Sequence, residues 1–515
     1  MSTHPSTTAH ERALHRLRVL IAELGTGGGT LTPAVYDTAR AATLLPERPH
    51  ACEMLDWLAS RQQPDGGWGT PRIPLARDLP TLAAILALHR SPAHHDAARH
   101  GTEFLHQHAP QHWGGPPAQD IPVGLELLLP PLLDEARTAR LRVPDTPYQA
   151  LRALGEHRRR LIARRAPHAP GTAPVHSWEG WGAPAGDLPI DGSGGIGHSP
   201  AATAAALRHN AHHALADRLE DYLTRASSNR PPLQPTVWPI DNFERTWALH
   251  ALALAGLLHH RLLADECARQ LDLLQESLTP EGIGMSDHFT ADGDITATAT
   301  AVLALAGRPA DIATVDHFRH QDHYRTYPHE LQTSLTTTAH ALHAHALHAA
   351  PGHPQAGPPD HVRRFIRERQ DRNGRWSGDK WHTSWIYTTA QIITALPTDP
   401  AAQHGVHALL DAQQPDGGWG AGRQATPGET GYAVLALRTA AQHDPLPTAA
   451  RRRAADWLTR WHATGQPCDC HLWTGKEPYC PTRVDQTVAL AALVTAGPQP
   501  VSEHGPSSSL HAAQT

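Results

Sequence analysis

Cysteine, strand-forming patterns and long apolar runs are all scarce in this sequence of 515 residues. The five cysteines are an odd number and do not form a disulfide framework for a protein of this size. No run of eighteen apolar residues occurs, which argues against a membrane-spanning helix. Residues 1–25 lack an uninterrupted apolar core between a basic start and a cleavage site, so no signal peptide is expected. These absences favour the reducing cytoplasm as the location.

Basic residues are fewer than acidic ones in this chain. Lys and Arg number 44 against 50 Asp and Glu, which gives a formal net charge of −6. Because phosphate-backbone binding normally needs a basic surface, we expect no nucleic-acid partner. The chain has 40 histidines, most of them in Ala/His/Leu/Arg stretches such as residues 339–343. We interpret these stretches as solvent-exposed helix faces.

A small group of metal-binding residue types lies near the C-terminus. Its members are Cys468, Cys470, His471 and Cys480. These side chains suit zinc, but the Cys-x-Cys spacing is tighter than the usual Cys-x-x-Cys. The spacing therefore favours ordinary cysteines over a zinc site.

Helical patterns dominate what is present. The length predicts two domains, and 40% apolar with 18% charged residues is typical of a globular protein. Segments rich in Ala and Leu recur between breaks rich in Pro, Gly and Asp, and they predict helices. These segments are residues 81–89, 246–258, 296–306, 388–396 and 486–495. The predicted fold class is all-α.

One motif is repeated along the chain. Residues 62–69 and 413–420 have the same sequence, Gln-Gln-Pro-Asp-Gly-Gly-Trp-Gly, and weaker copies occur at 191–195, 280–284 and 370–376. From residue 191 onward the spacing is close to multiples of roughly 45 residues, the length of a helical hairpin. Pro-Asp-Gly forms a turn, Gln can bond the backbone of the next helix, and Trp can pack over the joint. The repeat predicts stacked hairpins that close into an α/α toroid.

The repeated motif resembles the Gln-Trp motif of triterpene and diterpene cyclases, whose toroid protein prenyltransferase β-subunits share. Four further segments, in the family's order, resemble class II diterpene cyclases. They are residues 122–136 (the phenylalanine–glutamate segment), 175–180 (Leu-His-Ser-x-Glu-Gly), 237–245 (Tyr-Pro-Val-Asp-Leu-Phe-Glu) and 292–297 (Asp-x-Asp-Asp-Thr-Ala). With the Gln-Trp copies they cover the chain from about residue 61 to about residue 496.

This resemblance to bacterial class II diterpene cyclases, which are related to squalene-hopene cyclases, implies a βγ architecture of two α/α barrels with a cavity between them. Residues 1–30 would form an N-terminal helix that belongs to the second, β-type barrel. Residues 31–270 would form the first, γ-type barrel. Residues 271–500 would form the second barrel and carry the Asp-x-Asp motif, and residues 501–515 would be a disordered tail.

The family's chemistry requires a strong acid, because an isolated alkene is an extremely weak base. An apolar pocket keeps a carboxylic acid protonated, and positioning aims it at one carbon. The resemblance assigns the proton donor to Asp294, with Asp292 as its partner. Asp-Gly-Asp before a Thr/Ala/Leu run is also a good helix N-cap. Ile295 stands where the family has Asp, which removes a charge and a hydrogen-bonding group beside the acid.

The candidate terminating base is His176, in the segment that resembles Leu-His-Ser. In plant enzymes that make ent-copalyl diphosphate, this histidine and an asparagine hold a water. Thr236 occupies the asparagine position here, so the dyad cannot be transferred and ent-copalyl diphosphate is not favoured as the product. The alternative for His176 is an ordinary buried histidine.

The diphosphate has to be held without ionising. Arg suits bidentate phosphate contacts and Lys acts as a point charge. Arg160, in the basic stretch 158–160 that resembles the family's, and Lys380 are the candidates, while a solvated basic face explains most of these arginines. Only Asp120 and Glu126 remain of the family's acidic magnesium segment, so Mg²⁺ is expected mainly through the diphosphate.

A carbocation tolerates only apolar or aromatic walls, which also exclude water. Aromatic side chains in the motif-bearing segments are candidate wall residues, with core packing as the alternative. They are Trp178, Trp238, Trp381, Trp385 and Tyr387.

No two aspartates are adjacent, so the Asp-Asp-x-x-Asp motif of ionisation-initiated class I cyclases is missing. The prediction is an enzyme that protonates the terminal alkene of geranylgeranyl diphosphate and forms a bicyclic diphosphate of labdane, halimane or clerodane type. Farnesyl diphosphate cyclised to drimenyl diphosphate is one alternative, and a non-catalytic or zinc prenyltransferase-like toroid is the other. The expected partner is the prenyl diphosphate, bound by a monomer or a homodimer.

Overall fold

The structure is a computed structural model that describes residues 8–117, 121–165, 168–182, 187–210, 215–227, 232–328, 330, 332–349, 360–446 and 448–496. The predicted tail, 501–515, lies outside these residues. The described chain is helical apart from two short hairpins, which confirms the all-α class. None of its helices is both long enough and apolar enough to cross a membrane.

The α-helices of the described chain, in order, are α1 Ala9–Glu23, α2 Val35–Leu44, α3 Ala51–Ser60, α4 Asp78–Leu88, α5 His95–His112, α6 Leu125–Thr138, α7 Gln149–Ala163, α8 Pro200–His209, α9 Ala216–Ala226, α10 Asp241–Ala255, α11 Ala264–Ser277, α12 Gly293–Leu305, α13 Ala313–Asp316, α14 Leu335–His348, α15 Asp360–Arg367, α16 Trp385–Ala395, α17 Pro400–Asp411, α18 Pro427–Ala440, α19 Thr448–Thr464 and α20 Thr482–Ala496. Strands β1 (Arg319–His320) and β2 (His323–Tyr324) pair antiparallel, as do β3 (Trp473–Thr474) and β4 (Pro478–Tyr479).

The second barrel is a closed ring of inner helices surrounded by outer ones. Each of α10, α12, α14, α16, α18 and α20 packs on the next, and α20 packs on α10. These inner helices are buried on nearly every face, which explains their Ala-, Thr- and Leu-rich sequences. Outer helices α11, α13, α15, α17 and α19 connect them, and α1 packs on α11, α19 and α20. The N-terminal helix therefore completes the outer ring.

The first barrel is smaller and less regular. Its inner ring runs α2, α4, α6, the 3₁₀ helix Ala173–Gly180 and α8, which packs back on α2. Helices α3, α5, α7 and α9 lie outside this ring. A 3₁₀ segment thus stands where an inner α-helix would otherwise lie.

The apolar cores place the boundary between the barrels earlier than residue 270. Leu17 of α1, Trp247 of α10 and Leu271 of α11 share one core with the later helices. Residues of α2 to α9 form two separate clusters. Packing therefore divides the chain before Asp241, at the start of α10. The sequence did not indicate this division because the hairpins of the two barrels have similar patterns.

Three copies of the Gln-Trp motif make the same hydrogen bonds. Each tryptophan is fully buried, and its indole N–H donates to the carbonyl oxygen ten residues earlier at 2.6 to 2.7 Å. Each glutamine amide donates to a glycine carbonyl four residues later and to a carbonyl in the first turn of the next outer helix, at 2.7 to 3.0 Å. The pairs are Gln62 with Trp68, Gln370 with Trp376 and Gln413 with Trp419.

Replacing Trp376 by Phe tests this joint, because it keeps a ring and removes the indole hydrogen bond to the Ile366 carbonyl. We expect the free energy of unfolding, measured by urea denaturation, to fall by about 1–3 kcal/mol. Trp461→Phe is the matched control, since its indole N–H makes no hydrogen bond within the described chain. Equal losses in the two variants would show that the indole hydrogen bond contributes nothing.

Candidate active site

A cavity of about 700 Å³, counting its open mouth, lies between the two barrels. Val123, Ala173 and His176 line it from the first barrel. The rest of the lining comes from the second barrel and the segment that leads into it, and it is mostly apolar or aromatic. No lysine or arginine side chain of the described residues lines the cavity.

Two aspartates meet the cavity at the N-terminus of α12. Asp292 is the N-cap, and its Oδ1 accepts hydrogen bonds from the backbone N–H groups of Asp294 (2.8 Å) and Ile295 (3.0 Å). Asp294 follows in the first turn, with its side chain 7% exposed, and both aspartates and Ile295 line the cavity. The N-cap and the acid interpretations are therefore compatible, because the cap of Asp292 fixes the turn that aims Asp294.

Asp294 has a histidine partner that the sequence did not reveal. Its Oδ1 lies 2.6 Å from Nδ1 of His340 on α14, and Nε2 of His340 lies 3.1 Å from Oε1 of Gln391 on α16. Since an amide oxygen only accepts, Nε2 donates, and a neutral imidazole presents its lone pair at Nδ1. A proton therefore lies between Oδ1 and Nδ1. The buried pair holds one proton in a position next to the cavity.

The surroundings keep negative charge away from Asp294. Burial raises the pKa of Asp292 to about 8, so this carboxyl is mostly protonated at neutral pH. The Tyr327 hydroxyl is hydrogen-bonded to Asp292 and also lines the cavity. Ile295 adds no charge. A neutral acid facing an apolar cavity is suited to giving its proton to a weak base.

The interpretation of residues 339–343 as a solvent-exposed helix face is wrong. His340, His343 and His345 are buried, because α14 is an inner helix that touches neighbours on all sides. Burial lowers the pKa of His343 to about 4, so it is neutral at physiological pH. The sequence did indicate that this helix is buried, because residues 334–348 contain no Asp, Glu, Lys or Arg, whereas the outer helices do.

His176 faces the cavity from the opposite barrel. Its Nδ1 donates to the carbonyl oxygen of Gly197 (2.9 Å), so the neutral ring keeps a lone pair at Nε2. Burial, together with the Lys476 ammonium, lowers the pKa of His176 to about 3. Thr236 is fully buried, does not line the cavity, and its hydroxyl makes no hydrogen bond to any described residue. His176 therefore lines the cavity, whereas Thr236 is buried outside its lining.

Among the five predicted wall aromatics, Trp381 lines the cavity, and its indole N–H donates to the Thr326 hydroxyl at 2.6 Å. The other four do not line it. Tyr387 lies one layer behind, with its ring centroid 5.3 Å from that of Trp473. Trp178 and Trp238 pack in the first barrel's core. Trp385 is the first residue of α16, and the Arg375 guanidinium lies 4.3 Å from the centroid of its ring.

The aromatic wall is instead built mainly by residues outside those predictions. The ring centroid of Trp473 lies 5.1 Å from that of Phe243 and 5.3 Å from that of Trp247. The Trp247 ring also contacts the His340 imidazole edge to face, at 4.9 Å. The wall thus touches the acid pair directly. The additional aromatic lining residues are Phe243, Trp247, Phe289, Tyr327, Trp473 and Tyr479.

The predicted anchor Arg160 is exposed on α7 and does not line the cavity. Leu151 and Gly155 mark the buried face of this helix, and a residue five positions after Gly155 points away from it. Arg158, three positions after Gly155, is directed inward, and its Nε lies 3.2 Å from Oε1 of Glu126. Arg158 does not line the cavity either, but its partner Glu126 lies three residues after Val123, which does.

Lys380 lies beside the cavity without lining it. Its ammonium is paired with the buried Glu330 and lies 4.5 Å from the ring of Trp381. Its charge is thus already balanced within the protein.

The described residues contain no group of three or more His, Cys, Asp or Glu side chains placed to hold a metal ion. The carboxylate of Glu126, the predicted magnesium ligand, is paired with Arg158, and Asp120 lies outside the described residues. Both ring nitrogens of His471 are engaged, by Pro478 and Asp469. Among the residues that the structure describes, the side-chain groups therefore fit neither the zinc site nor a protein-held Mg²⁺.

Comparison with known proteins gives consistent matches. Residues 332–476 match the family described as squalene-hopene cyclase C-terminal domain. The (+)-kolavenyl diphosphate synthase of Herpetosiphon aurantiacus is 42% identical, over 93% of this chain and 96% of that protein. The type B diterpene cyclase of Mycobacterium tuberculosis is 30% identical, over 93% and 98%. The solved ent-copalyl diphosphate synthase from Streptomyces platensis has a TM-score of 0.75 at 27% identity, covering 95% of this chain and 100% of that one.

The raised pKa of Asp292 predicts a pH-dependent stability. Between about pH 4 and pH 8 the unfolded chain releases this proton while the folded protein retains it, so stability falls as pH rises, by up to about 1.4 kcal/mol per pH unit. Asp292→Asn keeps an N-cap but cannot titrate. The difference in urea midpoint between wild type and variant should change up to about pH 8 and then level off. A difference independent of pH would contradict the raised pKa.

Proposed function

Because the chain belongs to the bacterial class II diterpene cyclases, we propose that it protonates the terminal alkene of geranylgeranyl diphosphate and closes it to a bicyclic diterpenyl diphosphate. The observation that carries this proposal is the buried pair of Asp294 and His340 at the wall of an aromatic cavity. The two relatives with named activities cover nearly the whole chain, and one is named a diterpene cyclase. This favours a C20 substrate over farnesyl diphosphate and over a non-catalytic or zinc-dependent toroid.

Asp294 is the proton donor in this mechanism. Its O–H bond breaks as a C–H bond forms at the terminal alkene carbon, and the π electrons leave a tertiary cation that the next alkene attacks. The carboxylate that remains lies at the positive N-terminal end of α12, which stabilises its negative charge. Asp294 therefore returns to its starting state by regaining one proton.

The cavity walls protect the cation. The faces of Trp247, Trp473 and Phe243 offer negative π density, and none of these rings carries a nucleophile. Trp473 is held in place because its indole N–H donates to Oδ1 of Asp485 at 3.2 Å. Exclusion of water prevents premature capture of the cation.

His176 is the proposed terminal proton acceptor. Proton loss breaks a C–H bond next to the last cation, its electron pair forms the final alkene, and the proton passes to Nε2. A pKa of about 3 makes His176 a weak base toward water, but a carbocation is a far stronger acid than hydronium. The position of Thr236 gives no support to a water held by a His/Thr pair, so direct deprotonation is favoured over hydration.

Arg158 and Lys380 are the proposed diphosphate contacts. Arg158 is paired with Glu126, three residues after the lining residue Val123, and Lys380 lies next to the lining residue Trp381, so the two belong to different barrels. Each is already paired with a carboxylate, which keeps the side chain ordered before substrate arrives. Since the protein groups do not fit Mg²⁺, no step is assigned to it, and any Mg²⁺ requirement would come from the diphosphate.

Two arginines on one helix test the diphosphate contact. Arg158→Met should raise KM for geranylgeranyl diphosphate by about tenfold with little change in kcat, because a charged contact worth roughly 1.4 kcal/mol is lost in ground state and transition state alike. Arg160→Met, on the exposed face of α7, is the control and should leave both constants unchanged. If Arg160→Met raised KM and Arg158→Met did not, Arg160 would be the diphosphate contact.

Product analysis tests the function itself. Purified protein should convert geranylgeranyl diphosphate, and not farnesyl diphosphate, to a product that gives a bicyclic alcohol after dephosphorylation, identified by mass spectrometry and NMR. Asp294→Asn should lower kcat by about 10³-fold or more while the thermal midpoint stays near wild type. Asp265→Asn, at an exposed position of the same barrel, should change neither.

Absence of a cyclic product from both substrates with wild-type protein would refute the proposed function. Full activity of Asp294→Asn would leave the reaction class standing and remove Asp294 as the acid.

A further inference from the structure

Lysine is nearly absent from this chain, and both of its lysines lie beside the cavity. Of the 44 Lys and Arg residues, only Lys380 and Lys476 are lysines. Lys380 precedes Trp381, and Lys476 follows Gly475, and both of these neighbours line the cavity. The Lys476 side chain is 0% exposed, and the mechanism above gives it no role. A compact ammonium on a slender stem can fill a closed site that a planar guanidinium would not fit.

Lys476 connects the two barrels. It lies at the tip of the β3–β4 hairpin of the second barrel, and its Nζ is 2.6 Å from Oε1 of Glu179 and 3.7 Å from Oδ1 of Asp37. It also donates a hydrogen bond to the Ser199 hydroxyl. Glu179 lies in the 3₁₀ helix Ala173–Gly180, Asp37 on α2, and Ser199 caps α8. One ammonium thus joins three elements of the first barrel's inner ring.

The residues on either side of Lys476 dock on the same barrel. The Glu477 carboxylate accepts from the backbone N–H groups of Val35 (2.7 Å) and Tyr36 (2.9 Å), in the first turn of α2. The carbonyl oxygen of Gly475 accepts from the backbone N–H of Val123 (3.0 Å). Three successive hairpin residues are therefore fixed against the first barrel.

This docking also fixes part of the cavity. Four lining residues belong to the hairpin, namely Trp473, Thr474, Gly475 and Tyr479. His176 lies three residues before Glu179 on the same 3₁₀ helix. The contact of Lys476 with Glu179 therefore joins the wall that shapes the substrate to the segment that carries the base.

Lys476 faces two buried carboxyl groups of the first barrel, those of Glu179 and Asp37. Burial raises the pKa of Asp37 to about 8, so Asp37 is mostly protonated at neutral pH. Tyr36 donates a further hydrogen bond to Oε1 of Glu179 at 3.1 Å. Loss of the ammonium alone would leave a buried carboxylate without its counter-charge.

We propose that Lys476 is a positioning residue that sets the hairpin wall relative to His176 and so decides which carbon of the final cation loses its proton. This inference rests on the proposed function, with His176 as acceptor. If the folded substrate moves by one carbon relative to Nε2, a different C–H bond breaks and a different alkene isomer forms. The direct consequence of losing Lys476 is thus a change of product, more than a change of rate.

The test uses a charge-neutral double variant, Lys476→Met/Glu179→Gln, which removes both charges and avoids an unpaired buried carboxylate. We expect it to fold and to consume geranylgeranyl diphosphate. The ratio of the main wild-type isomer to other cyclised products should fall by about tenfold, measured by gas chromatography–mass spectrometry after dephosphorylation. Arg18→Met/Glu266→Gln removes an ion pair between an exposed arginine of α1 and a buried glutamate of α11, neither of which lines the cavity, and should keep the wild-type ratio.

The outcomes separate the inference from the function. A double variant with the wild-type product ratio overturns the positioning role and leaves the function intact. A wild-type protein that makes no cyclic product overturns both. A purely structural role would lower stability or total turnover without changing the product ratio.

A second measurement does not depend on the double variant folding. Protein labelled with ¹⁵N-lysine contains only two side-chain ammonium groups, and Lys380→Arg assigns them. The Lys476 signal should be visible and exchange slowly with water, and it should not shift when inorganic diphosphate is added. A Lys476 signal with the rapid exchange of a solvated ammonium would overturn the proposal.

Discussion

The hydrogen bond between Asp294 and His340 is the contact on which the rest of the site depends. A carboxylic acid can protonate an alkene only if it stays neutral and dry until the alkene is in place. Three consecutive inner helices supply this arrangement, since α12 carries Asp294, α14 carries His340 and α16 carries Gln391. Ring closure requires α20 to pack on α10, and α1 then covers the outer side of that seam.

The two-barrel architecture separates acid from base. Asp294 and most of the aromatic wall belong to the second barrel, whereas His176 belongs to the first. The reacting geometry therefore depends on contacts that cross between the barrels. Besides those of the hairpin, Arg72 binds the buried Glu429 through both guanidinium nitrogens, and the Thr290 backbone N–H donates to the Gly171 carbonyl at 2.7 Å. These polar contacts hold direction and distance more strictly than apolar packing would, because they tolerate little displacement.

The sequence predicted what local patterns encode. The all-α class follows from composition and turn chemistry, and the resemblance of residues 292–297 to the family's Asp-x-Asp-Asp-Thr-Ala segment pointed to Asp292 and Asp294. The partner of the acid could not be predicted in this way, because His340 is 46 positions away and its segment differs from exposed helices only in what it lacks. Arg158 and Arg160 look equivalent in sequence, and only the helical phase set by Gly155 distinguishes them. The position of Trp247 and Trp473 in the cavity wall depends on how the inner helices close into a ring, and no local sequence pattern specifies that closure.

Ile295 and His340 are best understood together. An aspartate at position 295 would place a third carboxyl next to Asp292 and Asp294, and at least one more proton would be needed to keep the cluster neutral. Isoleucine removes that requirement but also removes a hydrogen-bonding group beside the acid. His340 supplies such a group from another helix, and Gln391 fixes which ring nitrogen faces the acid. The local change and the distant histidine thus lead to one result, a single exchangeable proton held against an apolar cavity.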